Sequence, residues 1–165
     1  MLESRQNHSI TSESLPVIES LNRLIANSNM LDLIRNALSK ARASLKFDPL
    51  LKVAVEVLDP AIIRQIVPEI GSARLVAIRD GFDSGIESHP NSTQYLFSLE
   101  GSGETHVKTS DGWRIDNYGI GSRIEDRFHV VFPGVWHKST AAHGDWVVIA
   151  FHTAEKVIDD YDFVE

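Results

Sequence analysis

The sequence predicts a mainly β protein: a single antiparallel β-barrel preceded by two or three α-helices. Three observations carry this. Before residue 48, apolar residues recur at the three- and four-residue spacing of amphipathic helices. From about residue 72 they switch to short alternating runs, the period of half-buried strands. Gly, Asp, Ser and Pro turns separate those runs and no helical crossover intervenes, so the strands should pair antiparallel.

Residues 1–13 are polar and read as a flexible tail. Ser14 is a candidate N-cap for a helix with Val17, Leu21, Leu24 and Ile25 on one face. Asn27-Ser28-Asn29 ends it, and a second helix carries the stripe Leu31, Ile34, Leu38, Ala41 and Leu45. After Asp48-Pro49, Leu51, Val53, Val55 and Val57 alternate with Lys52, Ala54, Glu56 and Leu58, which favours a strand, with a helix as the alternative. Asp59-Pro60 supplies the cap and first turn of a short helix to about Val67. Residues 14–71 are therefore expected to form a helical region packed on a barrel spanning 72–154, with 155–165 as an acidic C-terminal tail. Strands are expected around Leu75–Ile78, Tyr95–Leu99, Glu104–Val107, Trp113–Asn117, His129–Phe132, His137–Thr140 and Trp146–His152, the third and fourth joined by a Ser110-Asp111-Gly112 hairpin turn.

Composition narrows the function. A formal net charge of −7 offers no basic face for a polyanion, so a nucleic-acid partner is not expected. The absence of cysteine excludes disulfides, thiolate ligands and a cysteine nucleophile. No apolar run approaches a membrane span or a signal-peptide core, which makes a cytoplasmic protein the default. Gly101-Ser102-Gly103 lacks the lysine of a phosphate-binding loop, and no Gly-x-Ser-x-Gly elbow occurs.

The chemistry concentrates between Gly81 and Gly101 and in the run Pro133–His137. Glu87 and His89 are two apart and share one face of an extended strand. Gln94 follows a His-Pro-Asn-Ser turn, and His137 follows a Gly-containing turn. If both strands line one barrel, a carboxylate, two imidazoles and an amide converge, an oxygen and nitrogen set suited to a borderline divalent metal.

This pattern resembles the cupin superfamily, whose first motif reads Gly-x5-His-x-His-x3,4-Glu-x6-Gly. Gly81, Glu87, His89, Gln94 and Gly101 fall on that spacing, with Glu87 where a His is usual and Gln94 where a Glu is usual. Gly134 and His137 match the second motif, Pro-x-Gly-x2-His-x3-Asn, with the proline displaced to Pro133 and Ala141 replacing the asparagine. The resemblance implies a jelly-roll barrel, a divalent ion (Fe, Mn, Ni or Zn) held by Glu87, His89, Gln94 and His137, a small-molecule substrate and a homodimer. It implies a metal-dependent enzyme of dioxygenase or lyase type acting on a polar, anionic small molecule. The two departures keep a second reading open, a non-catalytic metabolite-binding or accessory protein with a degenerate metal site.

Gln94 is a weak ligand or an orienting group, and with His152 it is the candidate for catalytic work beside the metal. His152 shares a strand face with Trp146, Val148 and Ala150. Facing inward it would serve as acid or base, whereas a strand-end histidine more commonly has a structural role. His106 and His129 are read as structural, and His8 and His143 as solvated. Tyr95 and Phe97 alternate away from Gln94 toward the helices, leaving Ser98 and Ser139 as pocket candidates. Arg114, Arg123 and Arg127 could each balance an anionic substrate, and no spacing singles one out.

Overall fold

A computed structural model describes residues 9–119, 121 and 123–163. His8 and most of the expected N-terminal tail lie outside the described residues. The elements run α1 (Leu15–Ile25), α2 (Ser28–Phe47), β1 (Val53–Leu58), α3 (Pro60–Ile66), β2 (Ser72–Ile78), β3 (Ile86–Ser88), β4 (Gln94–Glu100), β5 (Gly103–Thr109), β6 (Gly112–Tyr118), α4 (Ile124–Arg127), β7 (Phe128–Val131), β8 (His137–Ala141), β9 (Trp146–His152) and β10 (Asp160–Asp162).

Two five-stranded antiparallel sheets face each other, ordered β1-β2-β9-β4-β7 and β10-β3-β8-β5-β6. The sheets reach past both ends of the expected 72–154 barrel. β1 pairs with β2 along its whole length, and β10 pairs with β3. The segment expected to be an acidic C-terminal tail therefore belongs partly to the second sheet. Its charged residues hid this, because an edge strand with one solvated face tolerates acids that a central strand would not.

The alternation of β9 explains the layering. All its residues are buried. Val147, Ile149 and Phe151 pack outward with Leu75, Tyr95, Phe97 and Phe128 against Ile18, Leu21, Leu24, Met30, Ile34, Ala41 and Leu45 of the helices. Trp146, Val148 and Ala150 point inward to Leu96, Tyr118, Val131 and Ala141. Each large side chain buried this way contributes about 1.5–3 kcal/mol. The packing face of α2 is Met30, Ile34, Ala37, Ala41 and Leu45, so the expected stripe is rotated slightly, with Leu31 and Leu38 at its flank.

Two local expectations change. Ser14 makes no side-chain cap for α1; its Oγ accepts from the Thr11 backbone N–H at 2.8 Å, while Asn27 Oδ1 caps α2 by accepting from Asn29 and Met30. The expected flexible tail is anchored from Ser9 onward: that residue is buried and its Oγ accepts from the Val130 N–H at 3.1 Å. Among the described residues no helix is long and apolar enough to cross a membrane.

Candidate metal centre

Pairing across the second sheet assembles the donors. Glu87 on β3 stands directly opposite His137 on β8, so their side chains share the inward face. His89 follows β3 at the start of the His-Pro-Asn-Ser turn, where its carbonyl accepts from the N–H groups of Ser92 at 3.2 Å and Gly134 at 3.1 Å. Gly134 has φ +73°, a conformation glycine adopts freely, and so the turn before His137 closes onto the turn after His89. Gln94 opens β4, paired with His152 on β9 and Val131 on β7.

Ligand atoms of Glu87, His89 and His137 lie within 4.8 Å of one another. Glu87 Oε1 is 3.8 Å from His89 Nε2 and 3.7 Å from His137 Nε2, too far for hydrogen bonds and of the order expected for ligand atoms around one ion at about 2.0–2.2 Å. His137 Nδ1 donates to the Val135 carbonyl at 3.0 Å, which turns Nε2 inward, where it is buried without a hydrogen-bond partner. Gln94 Oε1 is also buried and unsatisfied, while its Nε2 lies 3.1 Å from His89 Nε2. A half-turn of that amide would present the oxygen instead. A buried lone pair without a donor is costly unless something electropositive meets it, and these residues fit a divalent cation.

The electrostatics agree. Burial pushes the His137 imidazole down to about 4 and that of His152 down to about 3, and it outweighs Asp159 to lower His89 as well. All three rings are thus neutral near pH 7, the state that ligates. Burial, reinforced by Asp159, pushes the Glu87 carboxyl up to about 7. A cation beside it would favour the carboxylate.

His152 is buried with its ring edge-on to His89, centroids 4.8 Å apart, and its Nδ1 has no hydrogen-bond partner. The fold brings it to the donor cluster. Ser98 and Ser139 are both buried, Ser98 Oγ accepting from Trp146 Nε1 at 2.8 Å and Ser139 Oγ lying 3.2 Å from Thr105 Oγ1. His129 is fully buried, its Nε2 2.9 Å from Asp116 Oδ2, while His106 Nε2 is 3.1 Å from Glu104. Of the three arginines, Arg127 lies over the Phe97 ring and Arg123 pairs with Asp126. Arg114 faces inward, opposite Val107, which is itself opposite His137, and forks onto Asp116.

Two site residues escape a sequence reading. Asp159, in the C-terminal segment, brings Oδ1 to 2.9 Å from His89 Nδ1, and Arg74 on β2 donates to its Oδ2 at 3.0 Å. The approach to His89 is close but not aligned as a hydrogen bond. Arg74 left a faint signal, a charge on a strand of otherwise small and apolar residues. Asp159 left none, lying beside another acid, Asp160, in an acidic run.

A jelly-roll barrel carrying a nitrogen and oxygen donor set in its interior defines the class. No family model matches the chain, and no curated protein matches it. Solved structures do. An oxalate decarboxylase from Bacillus subtilis superposes with a TM-score of 0.55 at 17% identity, covering 67% of this chain and 28% of that one. The formate complex of Lactobacillus farciminis oxalate decarboxylase gives 0.54 at 16% identity, covering 67% and 31%. The chain thus spans less than a third of these neighbours' length. Its fold is the cupin fold, shared with these enzymes, and the B. subtilis protein has Mn(II) centres.

Proposed function

We infer that the protein is a small metal-dependent cupin enzyme acting on a polar, anionic small molecule, with dioxygenase or lyase chemistry. One observation carries the reading: the buried, unpartnered Nε2 of His137 faces Glu87 and His89 at ligand-like separations. In it Glu87, His89 and His137 hold the ion. A divalent ion bound there supplies Lewis acidity toward a carbonyl or carboxylate oxygen. Gln94, the neutral member, orients or completes the shell through its amide oxygen. His152 offers a neutral imidazole 4.8 Å, ring to ring, from His89, the acid–base candidate of the site, although its burial makes it a weak base. Two neutral rings and one carboxylate leave a divalent centre with net positive charge, which favours an anionic substrate. The Mn(II) centres of the structurally similar B. subtilis oxalate decarboxylase make Mn(II) the first ion to try, before Fe, Ni and Zn.

A second reading rests on the closure of the site. His89, Gln94, His137 and His152 are only 1–4% exposed, which suits a non-catalytic metabolite-binding or accessory protein with a degenerate centre. Elemental analysis of tag-free protein, then reconstitution with each ion and a screen of carboxylic and aromatic acids recording oxygen uptake and product release, separates the two. Stoichiometric metal with turnover supports the enzyme; substoichiometric metal after reconstitution removes it. A homodimer belongs to the same reading, and light scattering that gives a monomer mass over a broad concentration range would remove it.

A further inference from the structure

The turn that carries His89 also holds the C-terminal segment. Asn91 Oδ1 accepts from the Ile158 N–H at 2.9 Å and its Nδ2 donates to the Lys156 carbonyl at 2.9 Å, while Ser92 Oγ accepts from the Ala154 N–H at 3.2 Å. β10 then pairs with β3, Asp160 opposite Ser88 and Tyr161 opposite Glu87. Between these two anchors sits Asp159. Its Oδ2 is taken by Arg74, and its Oδ1 is buried 2.9 Å from His89 Nδ1; neither of the two atoms in that contact makes an aligned hydrogen bond elsewhere.

We propose that Asp159, held by Arg74, is the positioning residue for His89: it keeps the ring with Nδ1–H toward the C-terminal segment and the Nε2 lone pair toward Glu87 and His137. The two faces of the imidazole are chemically sorted. Nδ1 meets an anion, which requires a proton on that nitrogen. On the other side of the ring Nε2 lies 3.1 Å from the Gln94 amide, which can turn either its nitrogen or its oxygen that way. The Asp159 side selects the tautomer, and that tautomer leaves the Nε2 lone pair for the cluster. A carboxylate behind a ligating imidazole also raises its basicity, and loss of such a partner typically costs 10–100-fold in metal affinity. The arrangement makes ligand geometry depend on a segment that contributes no ligand. The effect on affinity rests on the metal reading above; the tautomer does not.

A merely structural role for Asp159, as an ion pair tying the segment to β2, makes different predictions. The test uses metal-free, 15N-labelled full-length protein and long-range 1H–15N correlations of the His89 ring. The wild type should show an unprotonated Nε2, Asp159→Asn should retain that tautomer through its amide oxygen, and Asp159→Ala should give a mixture. In parallel, Zn(II) titration should show a 10–100-fold loss of affinity for Asp159→Ala and a smaller loss for Asp159→Asn. Glu155→Gln, which breaks the exposed Arg64–Glu155 pair of the same segment, should leave both readouts unchanged. A mixed tautomer in the wild type, an unchanged tautomer in Asp159→Ala, or an equal loss in Glu155→Gln overturns the proposal. If the wild type binds no Zn(II) at all, the metal reading fails while the ring signals still decide this one.

Discussion

Glu87 and His137 are register partners across β3 and β8, with Oε1 3.7 Å from Nε2 and no hydrogen bond between them. The carboxylate therefore does not satisfy the imidazole it faces. A structural pair would close to hydrogen-bond distance, since a buried unmade bond costs about 1–3 kcal/mol. The gap is what an ion would bridge.

His89→Ala and His137→Ala should each lose more metal affinity than the roughly 10–100-fold that removal of an outer partner costs. The unfolding midpoint of the metal-free protein should change little, because each change also removes a buried polar ring. Equilibrium dialysis with Mn(II) and Zn(II), alongside thermal unfolding, checks both. Parental affinity in either variant would move the site elsewhere.

Gln94→Glu should separate affinity from stability. Without metal it places a second buried carboxylate near Glu87 and an acceptor against the His89 lone pair, costing about 1–3 kcal/mol. With metal the added charge should raise affinity and weaken Lewis acidity. Urea unfolding with and without Zn(II) should show the order of the two proteins reversing.

Asp116 predicts an acid-sensitive interior. Burial alone would raise its carboxyl, but hydrogen bonds from His129 and Arg114 outweigh this and hold it well below the usual carboxylate range. Its stabilisation is therefore present above the unfolded value near 3.8 and fades as pH falls toward the folded one. Burial lowers His129 from 6.5, so its contribution is lost in the same direction, beginning at higher pH. Asp116→Asn should cost about 1–3 kcal/mol at pH 7 and show a shallower loss than the wild type below about pH 4. Unfolding free energies measured from pH 7 to pH 3 test the slopes.

Gly71→Ala should weaken the metal site without touching a ligand. A Cβ there would lie 2.4 Å from the Glu155 N and 2.5 Å from the Ala154 carbonyl carbon, backbone atoms with no rotamer to yield. The segment leading to Asp159 must shift, with a stability cost of about 1–3 kcal/mol. Zn(II) affinity should fall alongside the stability. An unchanged affinity with a lowered midpoint would show the two to be uncoupled.

The sequence made the barrel legible because its signals are local. Alternation marked β2 and β4–β9, and Asp59-Pro60 marked α3. The cluster Glu87, His89, Gln94 and His137 was legible through motif spacing, and the geometry brings these residues together. His152 was ambiguous, since a strand end does not say which face the opposite sheet will cover; Trp146, Val148 and Ala150 point inward here and take His152 with them. Asp159 and Arg74 were illegible for a different reason. Their meeting depends on β10 pairing with a three-residue strand, a contact set by long-range register and by Asn91, with no periodicity in either segment to announce it.

The order of the elements along the chain gives the site a timetable. Glu87 and His89 are synthesised first, His137 later, and Asp159 after all of them, and the pairings that unite them join distant stretches of chain. Such non-local contacts form late and slowly. On the ribosome, then, the early donors emerge without the strand that faces them and without the acid that orients His89. The donor set is complete only at the closing stage of folding, and an ion met before His137 emerges would find only Glu87, His89 and Gln94.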